Sequence, residues 1–258
     1  MIILEINKIY NMDCLEGMKK IEDKSIDMIL CDLPYGTTAC KWDTVIPFEP
    51  LWEQYERIIK DDGMIALFGS QPFTSALVMS NPKMFKYEWI WEKDKPSNFA
   101  LANKQPMKYH ENILVFYKNF PTYNKQITDG HKPMNGQAKY GRTYNGSVPS
   151  LDVEERYCGG KTTRNPSSIQ KFNTPKHNSS DKSGLHPTQK PVDLLEYLIR
   201  TYTNEYETVL DNCMGSGSTG VACVNTNRNF IGIELDNTYF EVAEKRIKNA
   251  QNPISQTT

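Results

Sequence analysis

The sequence predicts an α/β protein built on a mainly parallel sheet with helices on both faces. Two observations carry this expectation. Short apolar runs of strand length alternate with segments whose apolar residues recur at helical spacing. The runs read as strands buried from both sides, as in sheets with crossover helices on either face.

In chain order, SIDMILC (25–31) is a short buried strand, and FEPLWEQYERIIKDDG (48–63) has helical spacing and stops at Gly63. A strand returns in MIALFGS (64–70), followed by a helix in QPFTSALVMS (71–80). FKYEWIWEK (85–93) and ENILVFYK (111–118) are two further strands, separated by turn residues. From about Phe120 to Leu185 the periodicity fails and Gly, Pro, Ser, Thr and Asn crowd together. Beyond Gly184, KPVDLLEYLIRTYT is an amphipathic helix opened by Pro191, ETVLDNC a strand, STGVACVNTN a helix and NFIGIELD a strand. YFEVAEKRIKNA closes the order as a helix, and no internal repeat is visible.

A chain of 258 residues can bury a sizeable core and fits one domain carrying an insertion. Its formal net charge of −1 excludes a uniformly basic coat but leaves room for a local basic patch. The charge is uneven. Residues 121–185 hold ten Lys/Arg against five Asp/Glu, net +5, so the remainder is −6. Tyr123, Tyr140, Tyr144, Tyr157 and Phe172 are interleaved with those basic residues. Composition alone fits a solvated insertion; it also fits a nucleic-acid surface, where cations neutralise phosphates and rings stack on bases.

The six cysteines (14, 31, 40, 158, 213 and 223) form no C-x-x-C pair, and several sit in apolar segments where a thiol packs as a small hydrophobe. The four histidines are scattered and no carboxylates have metal-ligand spacing, so no metal is expected. With no signal segment at the N-terminus and no apolar run of membrane-spanning length, the expectation is a soluble cytoplasmic protein without membrane association.

VLDNCMGSGSTGVAC places a strand ending at Asp211, a loop with Gly215 and Gly217, and a helix starting near Ser218. Glycines let the backbone turn and approach a ligand, beside the free amides of a helix N-terminus. The next strand ends in Glu234, about twenty residues on, where a carboxylate can accept from both hydroxyls of a ribose. A nucleoside-containing cofactor fits this unit. The loop is not GxxxxGK[ST], which disfavours ATP hydrolysis.

CDLPYGTT follows the first buried strand. At the carboxyl end of a parallel strand, Asp32 and the Leu33 carbonyl offer acceptors, Pro34 stiffens the turn and Tyr35 offers a flat face. Such a set can hold an amine attached to an aromatic ring. Acceptors on its hydrogens favour a pyramidal nitrogen with a free lone pair. Alone, the tetrapeptide could equally be an ordinary turn.

At these residues the chain resembles the amino-group DNA methyltransferases that use S-adenosylmethionine, in the group whose catalytic motif precedes the cofactor motif (the beta class). DLPY is similar to their Asp-Pro-Pro-Tyr motif, DNCMGSGSTG to their glycine-rich cofactor motif, and HPTQKP to the segment near the methionine part of the cofactor. The resemblance implies a seven-stranded, mainly parallel methyltransferase sheet in permuted motif order. It implies a catalytic half at 1–119, a target-recognition insertion at 120–185 and a cofactor-binding half at 186–258. Asp32, Leu33, Pro34 and Tyr35 would hold and stack the target base. Asp211, Cys213, Gly215, Gly217 and Ser218 would line the cofactor, Glu234 would take its ribose, and Lys190 with His186 would lie at its methionine end. Leu33 departs from the family, which has proline there; the backbone carbonyl remains, with some loss of loop rigidity.

The activity implied is transfer of a methyl group from S-adenosylmethionine to the N6 amine of an adenine flipped from duplex DNA, leaving S-adenosylhomocysteine. Cytosine N4 is the alternative target, and RNA a further one. An Asp rather than Ser at the first motif position resembles the adenine enzymes. Methylation at cytosine C5 would need a thiolate, usually in a Pro-Cys pair, and none of the cysteines follows a proline. Duplex DNA is the expected partner, with a homodimer and a cognate restriction enzyme as further candidates. Arg142, Lys161 and Arg164 are candidate DNA contacts within the insertion.

Overall fold

The computed structural model describes residues 3–36, 44–133, 160–175 and 189–252. Two compact units emerge: residues 1–124 with 168–258, and residues 125–167.

In the larger unit, the described residues form one eight-stranded sheet. Its strands are β1 (Lys8–Asn11), β2 (Ile26–Cys31), β3 (Ile59–Gly69), β4 (Phe85–Ser97), β5 (Lys108–Phe116), β6 (Ile169–Lys171), β7 (Thr208–Asp211) and β8 (Asn229–Glu234). Their order across the sheet is β1-β8-β7-β2-β3-β5-β4-β6. Every pairing is parallel except the two made by β5. The exception has a local cause. The connector between β4 and β5 is too short for a crossover helix, so the chain turns back as a hairpin.

The sheet therefore has eight strands rather than seven. The additional one, β6, is three residues long and pairs with β4 at Ile90↔Ile169, within the stretch read from sequence as insertion. The helix expected over 48–63 is also shorter. It ends at Ile58, and β3 starts at Ile59 opposite Ile26, because β-branched Ile59 suits a strand and is already extended at the helix C-cap.

Helices α1 (Cys14–Met18), α2 (Phe48–Ile58) and α3 (Phe73–Ser80) cover one face. Helices α4 (Val192–Tyr202), α5 (Ser218–Asn225) and α6 (Asn237–Gln251) cover the other. β2 shows how one strand serves both layers. Ile29 and Cys31 pack into the α1–α3 side, Met28 and Leu30 into the α4–α6 side, and all four are buried.

In the smaller unit, Thr128 and Arg164 form an antiparallel bridge, and Thr162 donates to Asp129 at 2.7 Å. The Arg164 guanidinium donates to the carbonyls of Lys161, Thr163 and Lys132, so this candidate DNA contact holds its own unit together. Lys161 is exposed, and Arg142 lies outside the described residues.

Candidate active site

β7 and β2 are adjacent and parallel, with Ile29 opposite Leu210, so Asp32 and Asp211 emerge from the same edge of the sheet. From β7 the chain crosses through α5 to β8 on one side, and from β2 through α2 to β3 on the other. A crevice opens where such connections diverge, and in open α/β sheets this is where ligands bind. Here the crevice is a cleft of ≈ 460 Å³.

Its lining brings together Asp32, Leu33, Pro34 and Tyr35 from the end of β2 with Asp211, Cys213, Gly215, Ser218 and Glu234 from the β7–α5–β8 unit, and Lys190 just ahead of α4. Two motifs about 180 residues apart thus share one cavity. His186 lies outside the described residues. Gly217 is not among the lining residues. Its φ is +82°, and a Cβ there would stand 2.9 Å from the Ala243 Cα, so it permits α5 to start hard against α6.

The loop after β7 is fixed from several sides. Asp211 is buried, accepting from the Thr219 hydroxyl at 2.6 Å and the Cys213 amide at 3.1 Å. Burial pushes its carboxyl up to about 7. Tyr55 of α2 donates to the Asn212 side chain at 2.6 Å, the Met214 amide donates to the Ile233 carbonyl, and Arg246 of α6 donates to the Ser216 carbonyl at 2.6 Å. Glu234 accepts from the Gly215 amide at 2.7 Å and the Asp236 amide at 2.8 Å, one on each oxygen. Burial raises its pKa against those two bonds. Each oxygen keeps a lone pair for a further donor.

Around Asp32 the charges form a set. One carboxylate oxygen accepts from the Tyr35 hydroxyl at 2.7 Å, and the other pairs with the Lys190 ammonium. Lys190 also lies 3.4 Å from Glu111 of β5, whose other oxygen pairs with Lys93 of β4 at 3.0 Å. Burial works against the charge on Lys190, but Asp32 and Glu111 outweigh it and hold its pKa above the usual lysine value. Burial likewise opposes ionisation of Glu111, and Lys190 and Lys93 more than compensate, leaving its pKa lowered. Lys190 also sits 5.1 Å from the Phe68 ring centre. Lys190, expected at the methionine end of the cofactor, lines the cleft and is anchored to the acid of the DLPY turn.

Tyr35 stacks on Phe73 of α3 with centroids 4.9 Å apart, and burial with the nearby Asp32 charge pushes its phenol up. The Leu33 side chain is buried in the α1–α3 core, which anchors the turn where proline would have stiffened it. Cys31 is buried, and burial raises its thiol to about 12, as suits a packing residue rather than a nucleophile.

Sequence reading missed Glu111, Lys93, Asn212, Tyr55, Arg246 and the Met12–Leu15 wall. One signal was present. Asp13 followed by Glu16 has helix-start spacing, and Asp13 does cap α1, accepting from the Glu16 amide.

The N6/N4 DNA methylase family model matches residues 26–245. The chain belongs to this family. A curated relative, the type II methyltransferase M1.MboII of Moraxella bovis, is 28% identical across 93% of this chain and 96% of its own length. The DNA adenine methyltransferase YhdJ of Escherichia coli (strain K12) is 29% identical across 94% of this chain and 83% of its own length. Among solved structures, an M1.HpyAVI–SAM complex superposes with a TM-score of 0.60 at 26% identity, covering 93% of this chain and 98% of that one. PvuII DNA methyltransferase, described as cytosine-N4-specific, gives 0.67 at 14% identity over 99% and 89%, a likeness of fold. The chain is therefore an amino-group DNA methyltransferase on the methyltransferase α/β fold.

Proposed function

We propose that this methyltransferase acts on the N6 amine of adenine in duplex DNA, with S-adenosylmethionine as methyl donor. The observation that carries the reading is the shared cleft, where an acid-bearing turn after β2 faces a ribose-type carboxylate and glycine loop after β7. The donor set suits the cofactor. Glu234, with both oxygens oriented by backbone amides, would accept from two ribose hydroxyls, and Gly215, at φ +54°, lets the loop backbone come close. Asp211 stiffens that loop from within. When bound, the cofactor supplies an electrophilic methyl group on a sulfonium sulfur.

The chain's own residues do the rest. Asp32 and the Leu33 carbonyl accept from the two amine hydrogens, freeing the nitrogen lone pair for in-line attack. Phe73 backs one face of Tyr35, so the ring receives the base on the other, and stacking is worth about 1–3 kcal/mol. As the amine takes an Asp32 oxygen, Lys190 yields it and shifts toward Glu111. Transfer to the nitrogen would break the methyl–sulfur bond as the nitrogen–carbon bond forms, and the surplus amine proton would leave to Asp32 or to water. Adenine rather than cytosine is supported by Asp32 at the first motif position and by the adenine enzyme YhdJ among the relatives.

The test is to incubate the protein with unmethylated duplex DNA and isotopically labelled S-adenosylmethionine, digest to nucleosides and identify the product by mass spectrometry. Label on N6-methyladenosine is expected. Label on N4-methylcytosine would keep the mechanism and change the base, and no label on DNA, with label on RNA in a parallel incubation, would overturn the DNA assignment. Asp32→Ala should abolish transfer while retaining cofactor binding.

A further inference from the structure

β4 runs parallel to β2, so the turn between β4 and β5 rises from the same sheet edge as Asp32. It is tied to that edge. Lys108 at the start of β5 donates to Ser70, directly after β3, and Glu111 three residues further on lines the cleft.

The tip is also closed on itself. Asn98 adopts a left-handed conformation at φ +59°, accepts from the Lys108 amide at 2.8 Å and donates to the Pro106 carbonyl. Phe99–Leu101 form a 3-10 turn, continued by bonds from the Lys104 and Gln105 amides to the Leu101 carbonyl. On this built platform Phe99 is 76% exposed, and Leu101, Met107 and Tyr109 are exposed as well. Single exposed apolar residues are ordinary, but four within one stapled hairpin beside an active-site cleft form a surface that calls for a partner. Across residues 94–109 the charges are three lysines and one acid, Asp94, and that acid already accepts from the Thr174 amide and hydroxyl. Lys95 and Lys104 are exposed. An apolar tip flanked by cations matches a nucleic-acid duplex better than a protein surface: apolar wedges enter base steps while lysines meet phosphates.

We propose that the β4–β5 hairpin is a wedge for the DNA duplex, with Phe99 filling the stack that the flipped base vacates and Lys95 and Lys104 meeting flanking phosphates. This rests on the base-flipping reading above. Its energetic role is specific. A wedge compensates the unstacking of a paired base, and a target that lacks a pairing partner needs it less.

The experiment compares Phe99→Ala with the wild type on two duplexes carrying the wild-type enzyme's own methylated site, one fully paired and one with an abasic position opposite the target. Expected for the variant is a loss in kcat/KM of about tenfold on the paired duplex, equivalent to about 1.4 kcal/mol. On the abasic duplex the loss should largely disappear, and Phe99→Trp should restore transfer to paired DNA. Equal losses on both duplexes, or none on either, would overturn the wedge while leaving the methyltransferase reading intact. A change in sedimentation on Phe99→Ala would reassign the tip to self-association and also overturn it. A wild-type protein that methylates no duplex DNA, so that no such site is found, would overturn the parent reading and the wedge with it.

Discussion

Asp32, Lys190, Glu111 and Lys93 form a run of alternating charges whose sum is zero, and both lysines are more than nine-tenths buried. Removing one member strands another, and an unpaired buried charge costs about 3–5 kcal/mol. Glu111→Gln should therefore lower stability by that order in urea unfolding. Adding Lys93→Met removes the stranded cation and should recover much of the loss; a double variant no more stable than Glu111→Gln would show that the charges are not coupled. Asp211 gives a second prediction, with a sign opposite to that of an ion-paired acid. Its folded pKa of about 7 lies above the unfolded value of about 4, so between those values the folded protein holds a proton that the unfolded chain releases. Its contribution to stability falls as pH rises through that window and is level above it. Measured against Asp211→Asn, which cannot titrate, wild-type stability should decline from about pH 4 to pH 7. Parallel curves for the two proteins would mean that the Thr219 and Cys213 bonds hold the carboxyl near its ordinary pKa.

At the level of elements, the junction of the β7 loop, α5 and α6 depends on one missing side chain. Gly217 has a left-handed φ, and an added Cβ would also meet the Ala243 Cβ at 2.8 Å. Gly217→Ala therefore combines backbone strain with overpacking, each worth about 1–3 kcal/mol, and a lowered Tm is expected by calorimetry. The same junction shows what sequence could reveal. The strand, glycine loop, helix and terminal acid were legible because each has a local signature: apolar length, φ-permissive residues, helical spacing and a charge at a strand end. Asp32 was legible for the same reason. Lys93 and Glu111 were not, because their partnership arises from the antiparallel pairing of β4 with β5 and from Lys190 approaching from the far end of the chain. β6 was missed since three residues carry no periodicity, and its strand character comes from the open edge of β4. The Leu33 departure read as a loss of rigidity, whereas its buried side chain anchors the turn from the core.

Over the whole molecule, charge is segregated. The stretch 121–185 is net +5 and the rest is −6, so a protein that is nearly neutral overall concentrates its positive charge in one segment, and we propose that this segment grips the DNA polyanion. Binding through such a region must release counterions, and affinity for B-DNA falls with salt with a logarithmic slope of about 0.9 per phosphate neutralised. Lys125, Lys132 and Lys161 are exposed in the smaller unit, while Arg164 is committed to backbone carbonyls. Replacing the three lysines with alanine should weaken binding to any duplex and reduce the salt slope by up to about three contacts' worth, roughly 2.7. Cofactor affinity should not change, because the cleft is lined by residues of the larger unit. Fluorescence anisotropy with a labelled duplex across a salt series, with cofactor binding measured in parallel by calorimetry, separates the outcomes. A slope equal to wild type would place the phosphate contacts on other cations and remove these lysines from the DNA-binding surface. A reduced slope with intact cofactor affinity would establish that recognition and methyl-donor binding are carried by different parts of the chain.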